Sequence, residues 1–232
     1  MSKVKICGLS RPQDIEAINR ALPDFVGFVF ATSQRQVDKK TAIALRDKLD
    51  PSIQTVGVFV NEQIETVTEL YRCGVIDIVQ LHGDEDGEYI RRLKEGSGCR
   101  VIKLVGVGGT LPDLVGVGGT LLAPLGVGDK VPDLVDATGT PPAPLSVPDF
   151  LLFDTLSAQR GGTGKAFDWK LLLGYSGLPY FLAGGLSLET VSEAIRLLSP
   201  FCVDVSSGVE TNGLKDAEKI LKFVHLVREA DS

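Results

Sequence analysis

The stretch TVGVFVNEQIETVTELYRCGVIDIVQL (residues 55–81) contains two different hydrophobic patterns. Its two ends, 55–60 and 76–81, are short apolar runs rich in β-branched residues, which are typical of buried strands. Between them, apolar residues such as Val67 and Leu70 recur at helical spacing. A buried strand, an amphipathic helix and a second buried strand predict a βαβ unit, in which the two strands run parallel.

Three helices have ends that can be predicted from their sequences. The helix between 60 and 75 is expected to begin with Asn61 as its N-cap and to stop at Gly74. The stretch SLETVSEAIRLLSP predicts a helix with a cap near Leu186 to Ser187. In the last helix, LKDAEKILKFVHLVREA, His225 falls within the apolar stripe, and we expect it to have a structural role.

The same alternation of apolar runs and amphipathic stretches recurs along the chain. The strand candidates are VKIC (4–7), FVGFVF (25–30), TVGVFV (55–60), IDIVQL (76–81), RVIKLV (100–105), FLLFD (150–154), YFLA (180–183) and CVDVS (202–206). With 232 residues, the chain is slightly shorter than the roughly 250 typical of barrels built from eight βα units. We therefore predict an α/β fold, a closed (βα)8 TIM barrel in a single domain over 1–232. The alternative is an open doubly wound sheet.

Residues 104–149 interrupt this alternation with an imperfect ten-residue repeat, LVGVGGTLPD followed by LVGVGGTLLA and further variants. The repeats are rich in Gly and Pro, which cost about 1 and 3 kcal/mol respectively inside a helix. We therefore expect an irregular segment in place of the crossover helix after the fifth strand. It is either an expanded linker over the barrel wall or a lid at the site.

Composition excludes several function classes. With 24 Lys and Arg against 30 Asp and Glu, the net charge is −6, which argues against a nucleic-acid partner. The polar N-terminus and the lack of a long apolar run predict a cytosolic protein with no membrane partner. Four dispersed cysteines and two histidines show no metal-ligand spacing, so we expect reduced thiols, no metal site and acid–base chemistry by other groups.

Glycine-rich loops follow three of the predicted strands. AGGLS (183–187) and VSSGVE (205–210) come after the last two strands, where barrels commonly bind phosphate, and GGTGK (161–165) lies nearby. Glycine lets backbone N–H groups approach a phosphate closely. One such loop is more often only a turn, but three at one face of the barrel predict a phosphate site.

Cys7 and Asp154 lie at strand ends that face the same end of the barrel. A strand cysteine is commonly an inert core residue, and a strand carboxylate commonly pairs with a neighbouring loop. At the mouth of the barrel, however, Cys7 faces ligand space as a nucleophile or general base. Asp154, after an apolar run, is suited to be a general acid whose proton affinity is raised by its surroundings.

The ordered motifs KICGLSRPQD, VGFVF, VGVFVNE, VQLHGDE, LLFDT, GGTGKAFDW, LAGGLSLETV and VDVSSGVE together resemble the phosphoribosylanthranilate isomerase family of tryptophan biosynthesis. The resemblance runs from about 3 to 225 and lapses over the repeats. It implies a (βα)8 barrel that converts N-(5-phosphoribosyl)anthranilate to 1-(2-carboxyphenylamino)-1-deoxyribulose 5-phosphate by an Amadori rearrangement. It implies a small phosphosugar substrate, no cofactor, and a monomer or homodimer.

Site residues follow from the resemblance position by position. It implies that Cys7 is the general base and Asp154 the general acid, and that Arg35 binds the anthranilate carboxylate. The remaining residues are Gln80 and His82, which line the pocket, and Gly162, Gly184, Gly185, Ser207 and Gly208, which bind phosphate. This chain has Gln36 where the family usually has an aromatic residue, a difference that bears on how Arg35 is oriented. The family also has a shorter segment between the fifth and sixth strands.

Two other interpretations stay open at this point. Another phosphosugar barrel, an epimerase or an indole-glycerol-phosphate synthase, would share the phosphate loops. An epimerase would need metal-binding histidines, and the synthase would need lysine and glutamate at strand ends, for which Lys103 alone gives little support. The second alternative is a binding barrel that has lost activity through the repeat expansion.

Overall fold

The computed structural model describes residues 1–108, 120–121, 135–136, 147–155 and 167–230. The strands of its main sheet are β1 (Lys3–Cys7), β2 (Phe25–Val29), β3 (Gln54–Phe59), β4 (Ile78–Leu81), β5 (Arg100–Val107), β6 (Phe150–Thr155), β7 (Tyr180–Leu182) and β8 (Cys202–Val205). They pair in the parallel order β1-β8-β7-β6-β5-β4-β3-β2 and close into a barrel. The predicted TIM barrel is therefore confirmed, and the open sheet is wrong.

Helices follow most of the strands and cover the outside of the barrel. The helices of the described residues are α1 (Pro12–Ala21), α2 (Lys39–Arg46), α3 (Ile64–Arg72), α4 (Gly87–Ser97), α5 (Val191–Leu198) and α6 (Ala217–Ala230). Three of them begin with a side-chain cap: Asp38 accepts from Thr41 N at 2.7 Å, Asp86 from Tyr89 N at 2.8 Å and Asp216 from Glu218 N at 3.0 Å. None of these helices has the length and hydrophobicity needed to cross a bilayer.

The start of α3 differs from the prediction. The helix begins at Ile64 with Gln63 at the N-cap, so the expectation of Asn61 as the cap is wrong. Asn61 has a φ of 51°, and its side-chain Oδ1 accepts from Asp84 N at 2.7 Å. Its side chain therefore ties the loop after β3 to the loop after β4 instead of capping the helix.

Two features of the last helices also differ from the prediction. α5 begins at Val191 with Thr190 at the N-cap, because Ser187 belongs to a preceding turn in which its carbonyl accepts from Val191 N. His225 lies on the exposed side of α6 and not in its buried stripe, and its Nε2 is 3.2 Å from a carboxylate oxygen of Glu229. A structural role for His225 stays a prediction.

The repeat segment predicted for 104–149 begins later than expected. β5 continues to Val107 and pairs with β6 through Gly106 and Val107, so the first residues of the segment are part of the barrel wall. Thr120–Leu121 pairs antiparallel with Val135–Asp136. Residues 109–119, 122–134 and 137–146 lie outside the described residues, so the expectation of an irregular linker or lid stays a prediction.

The barrel interior is apolar at one end and polar at the other. A cluster of buried side chains from the strands fills the interior, namely Phe25, Val56, Ile78, Ile102, Leu152, Phe181, Ala183 and Cys202. Lys5, Gln80, Asp154 and Asp204 come at or beyond the middle of their strands. Because alternate strand residues face the same side, these four polar side chains lie on the same inner face as the apolar cluster. They are nearer to the carboxyl ends of the strands than the cluster is. The fold therefore concentrates polar groups at the carboxyl ends of the strands.

Candidate active site

A cavity of 570 Å³ opens at the carboxyl ends of the strands. It is lined by every predicted site residue within the described part of the chain, which are Cys7, Arg35, Gln80, His82, Asp154, Gly184, Gly185, Ser207 and Gly208. Gly162 lies outside the described residues. The structure thus brings together at one face the groups that sequence patterns placed on separate strands and loops.

Cys7 ends β1 and lies against a glycine on the neighbouring strand. Its partner in the β-ladder is Gly27, where an added Cβ would lie 2.6 Å from the Cys7 Sγ. Burial raises the pKa of Cys7, and the charge of Asp204 adds to this effect, while Lys5 and Lys215 oppose it. The thiol is therefore mostly protonated at neutral pH, and base chemistry needs the small thiolate fraction.

Asp154 lies in β6, three strands away from β1 in the barrel order, and lines the same cavity. Its Oδ1 accepts a hydrogen bond from Thr155 N at 2.7 Å. Burial, which is the largest influence, together with the negative charge of Asp204, raises the pKa of Asp154 to about 6. A carboxyl group with this pKa retains a protonated fraction near neutral pH, as a general acid requires.

Lys5 and Asp204 form an ion pair inside the barrel that the sequence analysis missed. Lys5 Nζ lies 2.7 Å from Asp204 Oδ2, and both side chains are almost completely buried. Asp204 lines the cavity, and its Oδ1 is a buried acceptor without a hydrogen-bond partner among the described residues. The sequence does contain a signal for such a pair. Lys5 in VKIC and Asp204 in CVDV are each the one charged residue in an otherwise apolar run.

Arg35 reaches the cavity from the loop after β2, where it is held by Glu210. The Arg35 Nε donates to Glu210 Oε1 at 2.7 Å and Nη2 donates to Oε2 at 2.8 Å. Lys215 Nζ binds the same carboxylate at 2.7 Å. Hydrogen bonding to Glu210 raises the pKa of Arg35, so the guanidinium keeps its charge. Neither Glu210 nor Lys215 was predicted as a site residue.

The two glycine-containing loops after β7 and β8 present backbone to the cavity. Gly184 has a φ of 78°, and a Cβ there would lie 2.5 Å from Thr155 Oγ1 and 3.0 Å from Asp154 Oδ1. Only glycine lets this loop lie beside the carboxyl group of Asp154. Ser207 and Gly208 are the first two residues of a short 3-10 turn, so their amides have no acceptor within it. Such amides suit an anionic ligand.

Gln80 and His82 form one wall of the cavity. Gln80 Nε2 lies 3.2 Å from His82 Nδ1, and Gln80 Oε1 is a buried acceptor without a partner among the described residues. In the part of the chain that the structure describes, no three His, Cys, Asp or Glu side chains are grouped so that they could hold a metal ion.

Comparison with known proteins gives one consistent result. The model of the family described as N-(5′-phosphoribosyl)anthranilate (PRA) isomerase matches residues 4–111 and 131–226. The chain belongs to the N-(5′-phosphoribosyl)anthranilate isomerase family. A relative of that name from Endomicrobium trichonymphae is 44% identical over 229 residues, covering 98% of this chain and 99% of the relative.

Solved members of the isomerase family have the same fold. Phosphoribosyl anthranilate isomerase from Thermotoga maritima superposes with a TM-score of 0.77 at 33% identity, covering 99% of this chain and 100% of that one. A second family structure, solved in complex with reduced 1-(o-carboxyphenylamino)-1-deoxyribulose 5-phosphate, has a TM-score of 0.71 at 30% identity, covering 99% of this chain and 100% of that one. The family assignment thus rests on both sequence and fold.

The isomerase family model also bears on the repeat segment. Residues 112–130 lie between its two matched stretches, and the expectation that the family usually has a shorter connection here stays a prediction. The alignment with the Endomicrobium relative nevertheless covers nearly all of both chains, so that relative has a comparable length. Extra length in this region is therefore compatible with membership of the isomerase family.

Lys103, considered above for a synthase, does not line the cavity. Its Nζ donates to Gly83 O at 2.7 Å and to Glu85 Oε2 at 2.9 Å. Lys103 is therefore paired within the loop after β4, where it holds that loop against β5. This contact removes the one feature that favoured the synthase over the isomerase family.

Proposed function

We propose that this chain converts N-(5′-phosphoribosyl)anthranilate to 1-(2-carboxyphenylamino)-1-deoxyribulose 5-phosphate, a step of tryptophan biosynthesis. The proposal is supported most strongly by the arrangement of a thiol and a weakly acidic carboxyl group around one cavity in a chain of this family. The reduced product analogue bound in a solved relative supports the same class of ligand.

The first chemical step is assigned to Asp154. Its carboxyl proton passes to the ribose ring oxygen while the C1′–O4′ bond breaks. The nitrogen lone pair of the anilino group forms the second C1′–N bond, which gives an open-chain iminium. A pKa of about 6 suits Asp154 to this role, because a fraction of the carboxyl group stays protonated near neutral pH and its proton is readily given up.

The second chemical step is assigned to Cys7. Its thiolate takes the proton from C2′, and the C2′–H electrons form a C1′–C2′ double bond as the iminium nitrogen becomes neutral. The enolamine then gains a proton at C1′ and loses the 2′-hydroxyl proton, which yields the ketone. One proton lost by Asp154 balances one gained by Cys7. C1′ is reduced as C2′ is oxidised, so the sequence consumes no external electron carrier and is consistent with the prediction of no cofactor.

Binding is assigned to the rim of the cavity. The phosphate contacts backbone groups of Gly184, Gly185, Ser207 and Gly208, and the anthranilate carboxylate contacts Arg35. Gln80 and His82 line the remaining wall. Three further points remain predictions from the sequence: a role for Gly162 in phosphate binding, a monomeric or homodimeric state, and a cytosolic location.

The test is a fluorescence assay that follows loss of the anthranilate substrate by the full-length chain. We expect turnover by the wild type, and a fall in kcat of about 10²- to 10⁴-fold for Cys7→Ala or Asp154→Ala. Phosphate affinity, measured by competition with inorganic phosphate, should change far less. Absence of turnover by the wild type would refute the proposed function, whereas near-normal turnover by both variants would refute only the assigned roles.

A further inference from the structure

We infer that Glu210, held in place by Lys215, positions the Arg35 guanidinium to receive the carboxylate of the substrate and so determines selectivity for an anthranilate over an uncharged aniline. This inference rests on the proposed function, in which Arg35 binds that carboxylate. Glu210 acts through Arg35 and is a positioning residue.

The local fold explains why Glu210 and Lys215 lie together. Glu210–Thr211 and Leu214–Lys215 form a two-residue antiparallel ladder in which Glu210 is the direct partner of Lys215. Direct partners have side chains on the same face of the ladder. Lys215 Nζ also donates to Ser206 O at 2.9 Å, and Ser206 Oγ donates to Cys7 O at 3.0 Å. The carboxylate of Glu210 is therefore connected by hydrogen bonds to the ends of β8 and β1.

The Arg35 side chain is fixed at two places. Its guanidinium is bound through two nitrogens by Glu210, in the planar fork geometry that orients an arginine most strictly. Its stem lies over Gly8, where an added Cβ would lie 2.5 Å from Arg35 Cδ. Gln36, which stands where the family usually has an aromatic residue, is exposed and donates to Phe30 O at 2.9 Å. Glu210 thus supplies the orientation that the residue after the arginine does not.

The cluster retains the capacity to bind one more anion. Within this cluster, Arg35 and Lys215 carry two positive charges against the single negative charge of Glu210, a net charge of +1, and Arg35 lines the cavity. Among the described residues, Arg35 Nη1 donates to no protein acceptor. A carboxylate at Nη1 would therefore meet a pre-oriented, charged donor, and such hydrogen bonds are among the stronger ones in proteins.

A competing role for Glu210 predicts the opposite result. If Glu210 occupied Arg35 as a competitor that the substrate must displace, its removal would free the guanidinium and lower KM. If Glu210 positions Arg35, its removal lets the guanidinium leave its orientation and raises KM. The sign of the change in KM therefore separates the two roles.

The experiment compares Glu210→Gln with the wild type on two substrates, N-(5′-phosphoribosyl)anthranilate and the carboxylate-free N-(5′-phosphoribosyl)aniline. We expect KM for the anthranilate to rise about 10-fold or more, with a smaller change in kcat. KM for the aniline should be nearly unchanged, because that substrate does not use Arg35. Glu95→Gln, an exposed carboxylate on α4 that pairs with Arg91, is the matched control and should behave as the wild type.

Arg35→Lys provides a second variant in case Glu210→Gln fails to fold. It leaves the Glu210–Lys215 pair in place but removes the planar fork, and it should show the same loss of preference for the anthranilate. The inference would be overturned if KM for the anthranilate is unchanged or lowered in Glu210→Gln while Arg35→Lys loses its preference for the anthranilate over the aniline. The proposed function would then still stand. No turnover of the anthranilate by the wild type would instead overturn the proposed function.

Discussion

Lys5 and Asp204 pair across the β1–β8 ladder, with Lys5 Nζ 2.7 Å from Asp204 Oδ2, in the layer of the barrel next to Cys7. Burial disfavours the charge of Lys5, but the charge and hydrogen bond of Asp204, with smaller contributions from Cys7 and Cys202, outweigh burial and raise the pKa of Lys5. Asp204 also raises the pKa of both Cys7 and Asp154. The pair therefore links the protonation of the two groups assigned to catalysis.

The pH profile of kcat/KM should be a broad bell. Asp154, with a pKa of about 6, is mostly ionised at pH 7.5, and the thiol of Cys7, with its pKa raised, is mostly neutral. The reactive form needs the reverse, a protonated Asp154 and an ionised Cys7, and its fraction is constant between the two pKa values. We expect activity to rise through about pH 6, to stay level, and to fall only above the ordinary thiol pKa. A loss of activity on raising the pH through 6 would contradict this assignment.

Asp204→Asn should shift both limbs of that profile to lower pH. The Asp204 charge raises the pKa of Asp154 and of Cys7, so its removal lowers both. The variant also leaves Lys5 buried without its partner, at a cost of about 3–5 kcal/mol in the free energy of unfolding. The measurements are kcat/KM from pH 5 to 10 and a thermal melt. If the variant folds and both limbs of its pH profile keep the wild-type positions, Asp204 does not influence the pKa values of Cys7 and Asp154.

Gly27→Ala should lower kcat by roughly 10- to 100-fold without unfolding the protein, because a displaced catalytic group loses its alignment. The added Cβ would lie 2.6 Å from Cys7 Sγ and so forces the thiol to move. Gly96→Ala, on α4, where an added Cβ would meet no side chain or backbone outside its own helix turn, is the matched control. In a Cys7→Ala background the same change should cause little further loss. An equal loss in both backgrounds would show that the effect does not pass through Cys7.

The sequence was sufficient for the elements that depend on local pattern. The sequence places Cys7 and Asp154 at the same end of the barrel because each closes an apolar run, and period-two alternation determines which face such a residue occupies. The prediction of Asn61 as the cap of α3 is wrong because its side chain bonds to Asp84, a residue in the next loop. No local propensity reports that contact.

The pairs that shape the site join residues far apart in the sequence. Lys5 is 199 positions from Asp204, and Arg35 is 175 positions from Glu210. A charged residue in an apolar strand indicates that a partner exists but does not say which one. Barrel closure and the β-ladder register bring Lys5 to Asp204, while the loop after β2 and the ladder after β8 bring Arg35 to Glu210. These relationships become visible only once the chain is folded.

Glu85→Ala should destabilise the barrel while leaving the chemistry of the folded fraction intact. The buried carboxylate of Glu85 accepts from Asn61 N at 2.7 Å, Gly83 N at 2.9 Å and Lys103 Nζ at 2.9 Å. Its removal leaves Lys103 as a buried charge without a carboxylate partner and two amides without an acceptor, at a cost of about 3–5 kcal/mol. For a domain of this size, that loss lowers Tm by roughly 6–20 °C.

The control for this prediction is Glu88→Gln, which changes an exposed carboxylate that pairs with Arg91 on α4 and should leave Tm nearly unchanged. Replacing both buried partners, with Glu85→Leu and Lys103→Met, should recover part of the lost stability because no unpaired charge remains. A Tm for Glu85→Ala equal to that of the wild type would mean that the loops after β3 and β4 hold their positions without this carboxylate. A fall in kcat that persists well below Tm would instead mean that Glu85 and the contacts it makes have a part in the reaction.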